Sequence, residues 1–348
     1  MTKTAKLLKW TVIAAAVLVV AYIAIGSWQA ASLLDATLRV GAPTAQSSGW
    51  PAPQSPADIG YEGDPQQAYG YTFQDVELSG ELGDLAAWLI PASQENATAP
   101  WAIFVHGIGG RRENGYRFLP TFHEAGLPVL MISYRNDSNQ PADPSGLYAF
   151  GLTEWRDLET AVQFAMENGA PSIIVVAESM GGGIVGQFLR QSDTAASLSA
   201  IVLDAPAIDF HAILTDQIER MDLPLAPILA LGALWFSGLS EPVHLADALT
   251  TDEFAAFGEP IFLSHGFSDS VVPIGSSDAL VGRREHVTQY LQTGSDHIQS
   301  WKADPARYEA ALKGFSHNAQ GARLARTNSL VAAGPYVTSS EHFGHFHL

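Results

Sequence analysis

The sequence predicts an α/β domain in which a mostly parallel β-sheet carries helices on both faces. The first observation is a set of short apolar segments, such as 101–105 and 172–177, that have the length and β-branched content of buried strands. The second is that segments with helical periodicity, such as 153–168, alternate with them. Strands buried on both faces read as continuous apolar runs, which is typical of a parallel sheet.

The elements follow in a consistent order from about residue 70. Residues 71–78 alternate between apolar and polar side chains and 84–91 give a second strand, so the domain is expected to open with an antiparallel hairpin. Further strands are predicted at 101–105, 128–134, 172–177, 200–203, 260–264 and 286–291, and a final helix at 305–314. With 348 residues, 47% of them hydrophobic, the chain can bury a sizeable core.

The amino-terminal segment predicts a membrane anchor. Residues 10–28 contain no charged side chain, and as a helix they would span roughly 28 Å, close to the thickness of the bilayer core. Lys3, Lys6 and Lys9 precede this segment, so the positive-inside rule places residues 1–9 in the cytoplasm and the main domain outside it. The alternative is a cleaved secretory signal with Ala30 and Ala31 near the cut, which would also export the domain.

Composition shifts suggest the remaining boundaries. Residues 29–69 include several prolines and are interpreted as a linker, although Trp50, Ile59 and Tyr61 could instead dock this stretch on the domain as an ordered coil. The domain itself is assigned to 70–316. Residues 317–348 lack a core pattern and are expected to be a poorly ordered tail.

A long insertion, at about 206–258, separates two of the predicted strands. Its centre, 223–240, is uncharged and very apolar, which raises the question of a second membrane span. Pro224 and Pro227 disfavour a regular helix there, and a crossing would separate the later strands from the earlier ones. We therefore interpret the insertion as a helical lid over one edge of the sheet.

Composition also excludes several functions. The chain has 18 basic and 36 acidic residues, so nucleic acid and anionic surfaces would repel its main domain. It has no cysteine, which excludes disulfides and a thiol nucleophile. No nucleotide-binding motif is present, and His342, His345 and His347 lack an acidic partner at ligand spacing, so neither a cofactor nor a metal is expected.

One serine stands where a strand meets a helix. Ser179 lies in the sequence Ala-Glu-Ser-Met-Gly, directly after an apolar strand and before a helical pattern. This is the context of a nucleophile elbow, a strained turn that lifts the serine hydroxyl clear of the sheet. Gly181 meets the need for a minimal side chain, and Ala177 replaces the glycine that usually stands first. A glycine-rich helix start that only packs on a strand is the structural alternative.

A base and an acid follow at the expected places. A serine needs a base to remove its proton and a third group to orient that base. Asp269 follows the strand that ends at residue 264, and His297 follows the last strand, so both should lie at the same sheet edge as Ser179. Asp204 is an alternative acid. Asp296 is interpreted as a turn residue, and His265 and His106 are interpreted as structural histidines.

Four motifs in this order carry a family resemblance: His-Gly-Ile-Gly-Gly at 106–110, the Ser179 turn, the loop at Asp269, and the pair Asp296-His297. Across residues 70–316 the chain resembles the α/β-hydrolase superfamily, in particular membrane-anchored serine hydrolases with a domain like those of prolyl oligopeptidases and dienelactone hydrolases. The resemblance implies that Ser179 is the nucleophile, His297 the base and Asp269 its orienting acid. It further implies an oxyanion hole formed by the backbone N–H groups of Met180 and Ile108.

The sequence thus predicts an exported, membrane-anchored serine hydrolase that acts on an ester or thioester, or on an amide, through an acyl-enzyme. The apolar insertion and the anchor favour a small-molecule or lipid-like acyl substrate. Two alternatives stay open, a non-catalytic binding module of the same fold and a serine peptidase.

Overall fold

The computed structural model describes residues 3–43, 50–94 and 96–332. Its centre is one eight-stranded sheet in the order β1-β2-β4-β3-β5-β6-β7-β8. The strands are β1 (Gln74–Gly80), β2 (Gly83–Ile90), β3 (Trp101–Val105), β4 (Val129–Ile132), β5 (Ile173–Glu178), β6 (Leu198–Asp204), β7 (Ile261–Gly266) and β8 (Thr288–Thr293). Strand β2 pairs antiparallel with β1 and β4, and the other pairs are parallel. The predicted fold class and opening hairpin are confirmed.

Helices cover both faces of this sheet. They are α1 (Lys3–Leu38), α2 (Pro65–Tyr69), α3 (Leu119–Glu124), α4 (Trp155–Glu167), α5 (Met180–Gln191), α6 (Phe210–Glu219), α7 (Ala226–Ser240), α8 (Thr251–Ala256), α9 (Gly275–Arg283), α10 (Ser300–Ala303) and α11 (Pro305–Ala332). Short 3-10 turns lie at Arg112–Arg117, Asp193–Ser197 and Leu245–Asp247.

The central strand β5 shows why the sheet is buried on both sides. Ile173 and Val175 pack into one hydrophobic cluster with α4 and α5, whereas Ile174 and Val176 pack into a second cluster with α3 and α11. Successive side chains of a strand point to opposite faces, so a run of apolar residues supplies both cores at once. The carboxyl ends of β5, β6, β7 and β8 consequently meet at one well-supported edge.

Helix α1 is longer than the predicted span. It runs for 36 residues, roughly 54 Å, and is apolar enough to cross a membrane by length and composition. The prediction that the linker starts at residue 29 is wrong, because the helix continues to Leu38. Ala31, Leu34 and Leu38 are buried on this continuation. It packs along α7, a contact between distant segments that local composition does not reveal.

The following coil is also docked, which corrects the prediction of a free tether. Ile59 packs with Ala205 and Ile298, and Trp50 adjoins this cluster. The ring of Tyr61 meets that of Tyr116 edge to face at 5.9 Å. These side chains cover apolar surface beside the sheet edge, as the alternative interpretation expected, while 44–49 lie outside the described residues.

The insertion and the last helix complete the architecture. Residues between β6 and β7 form α6, α7 and α8, and α7 has only 15 residues, too few for a regular membrane-crossing helix. Helix α11 continues to Ala332, so the prediction of a poorly ordered tail from residue 317 is wrong for 317–332. Ala319 is buried there because the helix still lies against the sheet. The three tail histidines lie outside the described residues.

Two glycines with left-handed backbones give a test of the packing around α5. Gly151 and Gly169 have φ of 94° and 93°. A Cβ atom at Gly151 would overlap the carbonyl oxygen of Gly183, whereas one at Gly169 would meet nothing within 4 Å. Alanine at either position meets a similar left-handed strain of about 1–2 kcal/mol. We expect Gly151→Ala to lower the free energy of unfolding by about 1–3 kcal/mol more than Gly169→Ala.

The measurement is urea unfolding of the full chain in detergent, with Gly169→Ala as the matched control. Equal losses in the two variants would contradict the close contact between Gly151 and α5.

Candidate active site

Ser179 occupies a strained turn between β5 and α5. Its φ is 50° and its ψ is −121°, a conformation that residues other than glycine rarely adopt. Three backbone hydrogen bonds fix it: the Ser179 N–H donates to Asp204 O at 3.0 Å, and Ser179 O accepts from the N–H groups of Gly182 and Ala207 at 2.9 Å each. The predicted elbow is therefore present in the backbone.

Crowding explains the small residues on either side of this turn. A Cβ atom at Gly181 would lie 2.5 Å from the carbonyl oxygen of Val105, so no larger residue fits without moving β3 or α5. Ala177 is fully buried in the sheet. The single methyl group in place of the usual glycine is accommodated in the core formed with α5.

The three predicted side chains are joined by hydrogen bonds. His297 Nε2 lies 2.9 Å from Ser179 Oγ, and His297 Nδ1 lies 2.8 Å from Asp269 Oδ2. A carboxylate can only accept, so Nδ1 carries the proton and Nε2 is left to accept from the serine hydroxyl. All three residues are at most 4% exposed. The structure thus brings together, from three separate strand ends, the serine, the base and the acid.

The carboxylate of Asp269 is fully hydrogen-bonded. Oδ1 accepts from the backbone N–H groups of Val271 and Val272 at 2.9 and 2.8 Å. Oδ2 accepts from His297, and His265 Nε2 lies 3.1 Å from it. Burial raises the pKa of Asp269, but the hydrogen bonds from both histidines and from the backbone outweigh it and hold the pKa well below its usual value.

The competing acids lie elsewhere. Asp204 bonds to Arg117 at 3.0 Å and to Ser264 at 2.9 Å, within the sheet edge, and so is engaged away from the base. Asp296 accepts from the N–H of Ser270 at 2.8 Å and from the N–H of His297 at 2.7 Å. Asp296 is therefore more than the predicted turn residue, because its carboxylate connects the loop of Asp269 to the loop of His297.

The two candidate oxyanion donors belong to the serine turn and to the loop after β3. Met180 is the first residue of α5, so its N–H is one of the helix donors without an intrahelical acceptor. Ile108 lies in the loop after β3, whose neighbouring Gly107 N–H donates to Glu178 Oε1 at 3.3 Å. Glu178 precedes Ser179 in the chain. One buried carboxylate thereby links the elbow to the loop that carries Ile108.

A buried ion cluster supports this carboxylate. Arg117 Nη2 lies 2.5 Å from Glu178 Oε2 and 3.0 Å from Asp204 Oδ2, and all three side chains are at most 2% exposed. Asn114 also donates to Glu178 at 3.0 Å. Burial raises the pKa of Glu178, but the charge of Arg117 and these hydrogen bonds lower it on balance. Breaking such a cluster by removing one partner typically costs about 3–5 kcal/mol.

His106 has a structural position, as predicted from its place at a strand end. It is fully buried, its Nε2 lies 2.8 Å from Asp137 Oδ2, and its Nδ1 lies 2.9 Å from Gly107 O. Burial lowers the pKa of His106, but the charge of the Asp137 carboxylate and these hydrogen bonds raise it on balance. Two acceptors at the two ring nitrogens are satisfied best by the doubly protonated ring.

No metal site emerges from the described part of the chain: among residues 3–43, 50–94 and 96–332, no group of three His, Asp or Glu side chains is arranged to hold an ion.

A cavity of about 830 Å³ opens beside the loop after β3, where Gly109, Gly110 and Tyr148 are among the residues that line it. Neither Ser179 nor His297 lines this cavity, so it is separate from the three hydrogen-bonded side chains.

Sequence reasoning missed His265 and Arg117 as parts of the site. The sequence predicts a structural histidine at His265, but its Nε2 lies beside the Asp269 carboxylate. The same Nε2 lies 3.0 Å from Val272 O, and Nδ1 lies 2.7 Å from Ser277 Oγ. Only its spacing of four residues from Asp269 could have signalled the contact. Arg117 lies in a 3-10 turn far along the chain from Glu178 and Asp204, so no local pattern points to the cluster.

The contact of His265 with Asp269 predicts a pH-dependent stabilisation. His265→Leu removes the Nε2 donor, whereas His265→Gln places an amide donor at a similar distance from the backbone. We expect the leucine variant to lose about 1–3 kcal/mol of unfolding free energy at pH 7, and the glutamine variant less. The lowered pKa of Asp269 contributes stability above its usual value of about 3.9, which is lost as the pH falls through the folded-state pKa.

Urea unfolding at pH 7 and in steps from pH 4 down to about pH 1.5 measures this, because the contribution of Asp269 is lost only below its usual pKa. The difference in unfolding free energy between wild type and His265→Leu should become smaller in acid. It should also become smaller when both proteins carry Asp269→Asn. If this difference is independent of both the pH and the Asp269 substitution, His265 contributes only packing.

Comparisons with known proteins address the fold. The sequence matches no protein-family model and no curated protein. An esterase of Pyrococcus furiosus is 18% identical with a TM-score of 0.57, over 74% of this chain and 95% of that one. Est1E of Butyrivibrio proteoclasticus, whose structure holds ferulic acid, is 16% identical with a TM-score of 0.53, over 70% and 98%. A puromycin-hydrolysing peptidase of Mycobacterium tuberculosis is 18% identical with a TM-score of 0.55, over 74% of this chain and 40% of that one.

These likenesses extend over nearly the whole length of both esterases. The chain has the α/β-hydrolase fold.

Proposed function

We propose that this protein is a serine hydrolase that cleaves a carboxylic ester or thioester through an acyl-enzyme. The observation that carries the proposal is the continuous hydrogen-bonded chain from Ser179 through His297 to Asp269. A binding module of this fold would have no need to hold these three side chains in contact at a strained turn. The esterases among the similar structures are consistent with ester chemistry.

In the acylation half-reaction, His297 Nε2 accepts the hydroxyl proton while Ser179 Oγ forms a bond to the substrate carbonyl carbon. The carbonyl oxygen becomes an oxyanion, to which the backbone N–H groups of Met180 and Ile108 would donate. Each such donor typically contributes on the order of a hundredfold to a thousandfold in rate. His297 then returns the proton to the leaving oxygen or sulfur, the bond to the leaving group breaks, and the acyl group stays on Ser179.

Deacylation repeats these steps with water. His297 Nε2 takes one proton from water, the resulting oxygen bonds to the acyl carbon, and collapse of the intermediate releases the acid and returns the proton to Ser179 Oγ. Asp269 stays ionised throughout, because its lowered pKa keeps it a hydrogen-bond acceptor. It therefore fixes the tautomer of His297 and stabilises the imidazolium that forms in both halves.

A lipophilic acyl group is the substrate class we propose. The lid above the carboxyl edge of the sheet is apolar, and α7 exposes large aliphatic side chains. An amide substrate is the second candidate, since one structural neighbour is a peptidase, although this chain spans only 40% of it. A panel of acyl esters, thioesters and aminoacyl amides separates these substrate classes.

The proposal includes a membrane location. The apolar part of α1 has a mean hydropathy of 2.2 over its best window, and none of that window is buried against the domain. Lysines precede it, so we propose that α1 anchors the chain with the catalytic domain outside the cytoplasm.

Replacement of the nucleophile tests the catalytic proposal. Ser179→Ala removes the attacking oxygen but leaves the backbone bonds of the turn, so the unfolding midpoint should change little. We expect kcat/KM for an activated ester such as a p-nitrophenyl ester to fall by about 10⁴-fold to 10⁶-fold. Ser268→Ala, an exposed serine on the loop of Asp269, is the matched control and should retain activity. Undiminished turnover by the Ser179 variant would refute the assignment.

A further inference from the structure

The outer side of α7 is an apolar surface without a partner in the described chain. Ile228, Leu231, Trp235 and Leu239 are 45%, 59%, 61% and 67% exposed. Their spacings of three and four residues place them on one side of the helix, which we call the lid face. The opposite side of α7 is buried against α1 and α6. Large apolar side chains exposed together mark an interaction surface more often than isolated ones do.

The lid face lies beside α1, and the two helices run parallel. Three contacts show their direction: the Tyr22 hydroxyl donates to Pro224 O at 2.9 Å, Gly26 faces Leu229, and Ser237 Oγ lies 2.5 Å from Asp35 Oδ1. The earlier residues of α1 therefore contact the earlier residues of α7. The first turns of α7 thus lie toward the membrane-anchoring part of α1.

Small residues allow the two helices to approach closely. A Cβ atom at Gly232 would overlap the side chain of Ser27, and a Cβ atom at Gly26 would lie 3.0 Å from Leu229. Close approach through small residues is the packing mode of helices in lipid. The pair is rigid enough for α1 to fix the orientation of the lid face.

The length of α1 places the lid face at the membrane boundary. Residues 3–20 of α1 are exposed along their whole length, and contacts with the domain begin near Tyr22. A bilayer core takes about 20 residues of helix, so a span that starts after Lys9 reaches about Trp28. The segment from Tyr22 to Trp28, together with the part of α7 beside it, therefore lies within the leaflet on the domain side.

Charge marks the other end of the pair. Residues 223–240 carry no charge, but Glu241 follows at once and pairs with Arg39 at 2.8 Å. On α1, Ile25, Trp28 and Leu33 are 57%, 58% and 55% exposed. Apolar exposure thus continues from the anchor along both helices and ends at the charged pair, as expected if that pair lies at the outer limit of the headgroup region.

We propose that the lid face is a membrane-contact surface, in which α7 inserts beside α1 with its first turns among the lipid acyl chains and its last turns at the headgroups. The partner is lipid acyl chains, and the inference rests on the proposed membrane anchor. A groove of about 570 Å³ between α1, α6 and α7, lined by Tyr22, Leu34 and Leu223 among others, opens at the same place. Helix α6 in turn donates from Gln217 to the backbone oxygen of Ser270, beside Asp269. Because Gln217 also lines the groove, the groove lies beside the loop that carries Asp269.

The absence of cysteine makes a clean experiment available. The full-chain variants Leu231→Cys, Leu18→Cys and Val287→Cys are each labelled with an environment-sensitive fluorophore. The labelled proteins are then reconstituted in phosphatidylcholine and phosphatidylglycerol vesicles. Leu18 lies in the proposed span at 71% exposure. Val287 is the matched control, since it is an apolar residue 70% exposed before β8, at the sheet edge opposite the active site. Phosphatidylcholine carrying a nitroxide on the acyl chain then serves as the quencher.

We expect the labels at Leu231 and Leu18 to lose comparable fractions of their emission to the lipid quencher, and the label at Val287 to lose almost none. Quenching at Leu18 without quenching at Leu231 would overturn the lid proposal while leaving the anchor intact. A blue-shifted but unquenched label at Leu231 would show that a protein surface such as a second copy covers the lid face, which also overturns it. No quenching at Leu18 would refute the anchor itself, and the inference with it.

Discussion

The left-handed turn at Ser179 is the constraint on which the rest of the site depends. Such a backbone is unfavourable for serine by about 1–3 kcal/mol, and it persists because the hydrogen bonds to Asp204, Gly182 and Ala207 hold both sides of the residue. Gly181 lets α5 lie directly against β3. The turn therefore aims the serine hydroxyl at the sheet edge where the loops of β7 and β8 deliver the acid and the base.

Three carboxylates, of which Asp269 and Glu178 are buried, organise that edge in complementary ways. Asp269 collects four hydrogen bonds and orients His297, while Asp296 joins the two loops that carry them. Glu178, held by Arg117, links the serine turn to the loop after β3. The groups that would react are thus fixed by neighbours that do not themselves react, which is how preorganised electrostatics lowers a barrier without reorganisation during the reaction.

Much of this could be predicted from the sequence because strand ends are local signals. The apolar runs before Ser179, Asp269 and His297 place all three at one edge of a parallel sheet, and the structure has them in contact. What could not be predicted depends on distant pairs. The packing of α1 on α7, the docking of Ile59 and the contact of Arg117 with Glu178 join segments far apart in the chain, and neither periodicity nor composition records such contacts.

The central claim is that Ser179 is a nucleophile activated by His297, and mass spectrometry of a covalent adduct tests it most directly. The full chain is treated with a fluorophosphonate, digested, and searched for the modified serine. We expect a single phosphonylated residue, Ser179, and loss of this adduct in a His297→Ala variant that still folds. An adduct on another serine, or labelling of Ser179 that is unchanged without His297, would contradict it.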